Sequence, residues 1–197
     1  MDLREREYVM SNDSKKYAVR FEGNKPILFD RYAGDNKTKL PAQDKFYFGP
    51  DGKTLVIPAF NLNSMLSAEN TKSVCKLLMG RSGRQVGQAL GSNLEITPAD
   101  IPLLGEGDKP LVWAGKFDGQ FGVRHDVARV KNGVPVPKER PFVRLPWAID
   151  FEIGWTKHPD VSYDTLKNVF ELAQKIGLGT FRPFFGTFVL VKFKEIS

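Results

Sequence analysis

A single cysteine, Cys75, in 197 residues excludes an internal disulfide and any multi-cysteine metal cluster. It sits in an apolar helical setting beside Leu77 and Leu78 and reads as a small buried filler. Only two histidines occur, and no His/Asp/Glu grouping has metal-ligand spacing, so neither a metal nor a cofactor is expected. No run approaches the roughly 18 apolar residues of a membrane-spanning helix. Met1 to Ser14 carries Arg4, Glu5, Arg6 and Glu7 and no apolar core, which is no secretory signal. A cytoplasmic protein with no membrane partner is expected. No serine lies in a nucleophile elbow.

With 41% hydrophobic and 26% charged residues, the composition is that of an ordinary globular protein, and residues 1–197 read as one domain. The net charge of +6 is concentrated in two segments. Lys72, Lys76, Arg81 and Arg84 stand against Glu69 in one; Arg124, Arg129, Lys131, Lys138, Arg140 and Arg144 stand against Asp126 and Glu139 in the other. Together they exceed the whole-chain charge and leave the remainder slightly acidic, an asymmetry that points to a polyanionic partner.

Tyr17, Val19 and Phe21 alternate with polar neighbours and predict a half-buried first strand. A first insertion spans about 30–57, where Phe46 to Phe48 and Thr54 to Ile57 flank the turn Gly49-Pro50-Asp51-Gly52. A helix over Asn61 to Met79 follows Pro58, with Asn61 or Asn63 as cap, a break near Thr71, and Gly80 and Gly83 at its end. A second insertion, about 90–120, wraps the surface. A basic hairpin spans about 121–146 around Asn132-Gly133. Trp147, Ile149, Phe151, Ile153 and Trp155 make a central strand, and the stripe Tyr163, Leu166, Val169, Phe170, Ala173 and Ile176, capped by Ser162 and ended by Gly177, makes the clearest helix. Phe184 to Phe193 closes the sheet. The order strand, helix, strand, strand, helix, strand predicts an α+β, ferredoxin-like βαββαβ core with two helices on one face of an antiparallel sheet.

The segment from Ile176 to Gly186, Ile-Gly-Leu-Gly-Thr-Phe-Arg-Pro-Phe-Phe-Gly, can bring backbone close to a phosphate through Gly177 and Gly179. Arg182 can offer a two-pronged donor, and Phe181 and Phe184 can offer stacking faces. The same glycines also read as a helix cap and a turn, with the phenylalanines in the core. The loop fits neither the Walker nor the dinucleotide fingerprint. It has the form G-x-G-x-x-R-P-x-x-G-x-F, and here the sequence resembles the RAMP superfamily, the repeat-associated RNA-binding and processing subunits of CRISPR effector complexes. Leu55-Val56-Ile57-Pro58 leading into a helix is similar to that family's strand-proline-helix segment, though the Gly-Ser pair usual after the proline, which would reach Ser64, is absent. Val123 to Arg144 resembles its protruding thumb. The resemblance implies guide-RNA backbone binding through Gly177, Gly179 and Arg182.

On the predicted phases Arg20, Glu22, Asp150 and Glu152 point away from the helices, and acids there repel a phosphate chain. Nucleic acid is expected along the Gly-rich loop, the first helix and the hairpin. The leading expectation is a non-catalytic subunit that binds single-stranded RNA or DNA beside other protein subunits, copies of itself in a filament among them. Two alternatives stand. One is a metal-independent endoribonuclease using His125 as general base with Arg124 or Arg129 stabilising the phosphorane. The other is a structural or interaction protein of viral or mobile-element origin.

Overall fold

The computed structural model describes residues 14–196 apart from 36, 69–71 and 130–134, with the side chains of 128 and 129 also left out. Its centre is a four-stranded antiparallel sheet of β1 (Ser14–Gly23), β4 (Leu94–Thr97), β8 (Ala148–Thr156) and β9 (Phe188–Glu195), in the order β4-β8-β1-β9. Tyr17 opposes Ile153 and Phe21 opposes Ile149 across β1 and β8. Tyr17, Val19, Phe21, Ile149, Phe151 and Ile153 are buried. Arg20 and Asp150 pair on the open face, as the alternation predicts.

The buried face is covered by helices. α4 (Tyr163–Ile176) begins at Ser162, whose hydroxyl accepts from the Thr165 amide, and ends at Gly177 in the left-handed region. Leu166, Val169, Phe170 and Ala173 carry its stripe into the core, while Tyr163 at its start stays largely exposed. Phe21, Phe151, Phe170 and Phe188 form an aromatic cluster between sheet and helix, with Phe21 stacked on Phe188 at 4.0 Å. Ring pairs of this kind add to plain area burial.

The first helical layer differs from the expected single helix over Asn61 to Met79. It is three helices: α1 (Ala59–Ser67), α2 (Val74–Leu78) and α3 (Gly83–Asn93). Neither Asn61 nor Asn63 caps, because α1 begins before both, directly after Pro58. Ser73 caps α2 by accepting from the Lys76 amide. Gly80 opens a short 3-10 turn, and Gly83 opens α3 instead of ending a helix. A Cβ on Gly83 would stand 1.9 Å from the Cys75 carbonyl oxygen, and one on Gly87 2.8 Å from that of Ser67. These glycines let α3 lie against α1 and α2, a role that outweighs their poor helix propensity. Cys75 is buried at this contact, and burial pushes its thiol up to about 11.

The segment expected as a second surface insertion, about 90–120, contributes a core element: Leu94–Thr97 is β4, the edge strand beside β8, with Leu94 and Ile96 buried. Two smaller sheets flank the core. β3 (Val56–Pro58) pairs with β5 (Asp100–Pro102). β2 (Ile27–Leu28), β7 (Pro135–Val143) and β6 (Phe121–Arg129) form the other, with β6 and β7 as the expected hairpin. Its Asn132-Gly133 turn lies outside the described residues. Within the first insertion the Gly49–Gly52 turn is present: the Gly49 amide donates to Thr54, and the Asp51 carboxylate accepts from Lys53 and Thr54. The Thr54 hydroxyl, which also donates to this carboxylate, and the two amides lower the Asp51 carboxyl to about 2. β9 starts at Phe188, after the expected Phe184, because Phe184 and Phe185 sit in a turn closed on the Phe181 carbonyl.

Candidate nucleic-acid interface

The loop from Gly177 to Gly186 joins α4 to β9 and is laced to the chain around β2. Thr180 donates its amide to the Leu28 carbonyl at 2.9 Å, Gly186 to Pro26 at 2.8 Å, and Leu178 to Gly186 at 2.8 Å. Gly179 has a φ of 74°, and a Cβ there would lie 2.3 Å from the Leu28 oxygen; Gly186 has a φ of 68°, and a Cβ would lie 1.9 Å from the Leu178 oxygen. These glycines are required by backbone approach within the protein. Gly177 ends α4 with its amide bonded to Ala173.

What the loop offers outward lies between the glycines. The amides of Gly179, Phe181 and Arg182 have no hydrogen-bond partner among the described residues. Phe181 adopts a φ of 60°, rare for a bulky side chain and a mark of a constrained site. Its ring is 39% exposed and that of Phe184 75%. The Arg182 guanidinium is half-buried and makes one long hydrogen bond, 3.4 Å, to the Gly177 carbonyl. No carboxylate reaches it among the described residues, and burial lowers its pKa from the ordinary arginine value. A desolvated cation with spare donors is suited to an anion.

Arg182 opens on a cavity of about 280 Å³ that it shares with Asp30, Tyr47, Asn61, Ser64 and Thr180, over a floor of Met65 and Leu178. The cavity spans the loop and the first turns of α1. Of these residues sequence reasoning gave Arg182 a site role; Asn61 was expected as a cap and Ser64 entered only by resemblance. Asp30, Tyr47 and Thr180 carry no local signal: Asp30 follows β2, the Val56 amide holds Tyr47 by its carbonyl, and the Thr180 amide is held by Leu28.

The other end of α1 borders a second cleft, of about 430 Å³, lined by Ser67, Ala68, Cys75, Lys76, Gly80, Gly83 and Arg84. Lys72, Lys76, Arg81 and Arg84 are all exposed. Ser64 and Ser67 are one helical turn apart on α1, about 5 Å along its axis, so the two clefts border successive turns of one helix.

Hairpin arginines are arranged differently. Arg124 pairs with Asp126 at 2.7 Å and lies over the Phe185 ring at 5.1 Å. Arg144 donates to the Gly119 and Phe121 carbonyls at 2.6 and 2.8 Å and covers Phe142. Arg140 is buried, bonded to Asp30 at 3.1 Å, and lies over the Phe181 ring at 4.6 Å. Arg129 ends β6 without a described side chain, and Lys131 lies outside the described residues. His125 is exposed midway along β6 with Nδ1 3.5 Å from Glu139. His158 accepts from the Asp160 amide in a loop. Among the described residues no group of three or more His, Cys, Asp or Glu could hold a metal ion, and no helix is long and apolar enough to cross a membrane.

Core topology, an N-terminal β1 flanked by β8 and β9, and a Gly-rich loop between the last helix and last strand define an α+β domain of ferredoxin-like class. No protein-family model and no curated protein matches the chain. Among solved structures, it is similar to a chain in the cryo-EM structure of the Type III-B Cmr-beta bound to cognate target RNA, with a TM-score of 0.60 and 14% identity over 94% of this chain. The match spans 61% of that longer chain. At this identity the likeness is one of fold.

Proposed function

We propose that this chain is a non-catalytic subunit that binds single-stranded RNA, of the CRISPR guide type, within a larger ribonucleoprotein assembly. The observation that carries the reading is Arg182: a half-buried guanidinium with no carboxylate partner among the described residues, lining a cavity with Asp30, Asn61, Ser64 and Thr180, beside amides that have no partner among those residues. A phosphodiester supplies the missing acceptors, and Phe181 and Phe184 can stack on bases that follow it. The backbone would continue along α1 toward Lys76 and Arg84. The neighbouring fold belongs to an assembly bound to target RNA, which supports RNA and protein partners in the same class of role.

Titration of a labelled single strand by anisotropy tests this. With about four phosphate contacts, log affinity falls against log salt with a slope of about −3. RNA and DNA strands of one sequence are to be compared at the same salt. A flat titration, or no binding at low salt, removes the reading.

A further inference from the structure

Among the described residues Arg140 is the most deeply buried cation of the hairpin, with 5% of its surface exposed. Its Nε donates to Asp30 at 3.1 Å, and its Nη1 forms a long ion pair with Asp126 at 3.8 Å but has no hydrogen-bond partner among the described residues. Lys45, also buried, donates to the Glu139 carbonyl at 2.5 Å and stands 3.7 Å from Asp30. An apolar residue would fill this place in a strand without the desolvation of a guanidinium, so a buried group left short of partners needs a reason. The remaining face of the guanidinium lies against Phe181, 4.6 Å from its centroid. Phe181 is the loop residue with the unusual backbone and the half-exposed ring. Asp30, which anchors Arg140, also lines the cavity of Arg182.

We propose that Arg140 is a positioning residue: without touching RNA, it holds the Phe181 ring from behind and so fixes the Gly-rich loop in its nucleic-acid-binding shape. This rests on the function proposed above for the loop. The planar guanidinium is needed because it stacks on the ring while bonding Asp30 through its edge, and an ammonium cannot do both. Arg124 over Phe185 makes a second, exposed contact of the same type between hairpin and loop. The outer face of Phe181 stays available to a base.

The experiment measures RNA affinity, its salt slope, and amide hydrogen exchange over residues 177–186 in the wild type, Arg140→Lys, Arg140→Met, Phe181→Leu and the double variant Arg140→Met/Phe181→Leu. A fall in the binding-competent fraction of the loop to about a tenth raises the apparent Kd about tenfold. Both Arg140 variants are expected to show that loss at unchanged slope, with faster exchange in the loop and a double variant no weaker than the worse single one. Arg140→Lys binding like the wild type, with Arg140→Met losing about 0.7 of slope, makes Arg140 a phosphate contact and overturns the proposal. A lowered melting temperature with unchanged affinity makes it merely structural and also overturns it. Exchange is read without RNA. If the wild type binds no RNA, the function falls, while unchanged loop exchange still overturns the positioning role and faster exchange upholds it. Should the Arg140 variants fail to fold, Phe181→Leu leaves the buried ions intact and breaks the same contact, and slow exchange in it overturns the proposal.

Discussion

The open face of the central sheet and the Gly-rich loop are each centred on an arginine, and the protein treats the two in opposite ways. Arg20 on β1 donates to Asp108 at 2.5 Å, Asp150 at 2.7 Å and Glu22 at 2.8 Å, and hydrogen bonds to Asp108 and Glu22 raise its pKa above the ordinary arginine value. Arg182 has a pKa lowered by burial and one long bond to a carbonyl. A phosphate chain crossing the open face would meet the acids around Arg20 as well as Glu152. At the loop it would meet a cation and amides without partners among the described residues, and Asp30, the acid of that cavity, is already paired with Arg140 and Lys45. On the proposed reading, local positive charge marks a polyanion site poorly, and the inventory of partners already engaged marks it better. Arg124 and Arg144, cationic in sequence and occupied in the fold, make the same point.

The largest expected effect comes from breaking the loop's shape. Gly179→Ala places a Cβ against the Leu28 oxygen at a positive φ, and the resulting strain and displacement cost about 3 kcal/mol of stability. A thermal melt reads the loss. RNA affinity, measured below the melt, falls too, because Thr180 can no longer keep its bond to Leu28. A variant as stable as the wild type would mean that the β2 contact yields freely and that the glycines serve the ligand alone.

Next in size is a reciprocal pair. Arg182→Ala is expected to weaken RNA binding by about 1–3 kcal/mol, one charge-assisted contact, and to leave the melting temperature nearly unchanged, since the side chain makes little of the fold's bonding. Arg20→Ala is expected to do the reverse, lowering stability by about 1 kcal/mol as a partly exposed network is broken, with affinity unchanged. Equal losses of affinity in both variants would show that long-range field, and not a local site, governs binding.

The core was legible where one face of an element is apolar without interruption. β8 alternates over its full length and α4 carries an unbroken stripe, so both were found with nearly correct limits. α3 was not, because Gly80 and Gly83 read as the end of the helix before it, when Gly83 opens α3 and makes a contact too close for a side chain. β4 escaped because four residues followed by Pro98 are too short to show a period. For the proposed site, the motif pointed to Gly177, Gly179 and Arg182, and the structure gives the two glycines roles within the fold itself, Gly177 at the end of α4 and Gly179 against Leu28. Arg140 was grouped with surface cations, since an alternating hairpin gives no hint that residue 140 turns inward to Asp30, 110 positions earlier in the chain.

The smallest expected effect belongs to His125, the residue on which an enzyme of this fold would depend. It is exposed on β6, and its approach to Glu139 at 3.5 Å is a surface contact, so His125→Ala should change stability and RNA affinity by less than about 0.5 kcal/mol. Catalysis would demand more. A general base must come within hydrogen-bond reach of the ribose hydroxyl, with a cation near the phosphorane oxygens. The guanidinium nearest in sequence, Arg124, is turned to Asp126 and Phe185 instead. End-labelled RNA incubated with the protein and a chelator should therefore remain intact, and no difference should appear between the wild type and His125→Ala. Cleavage that persists in chelator and disappears in His125→Ala would make the hairpin an active site, and the contrast between an occupied hairpin and an open loop would then have to be redrawn around an arginine released by RNA.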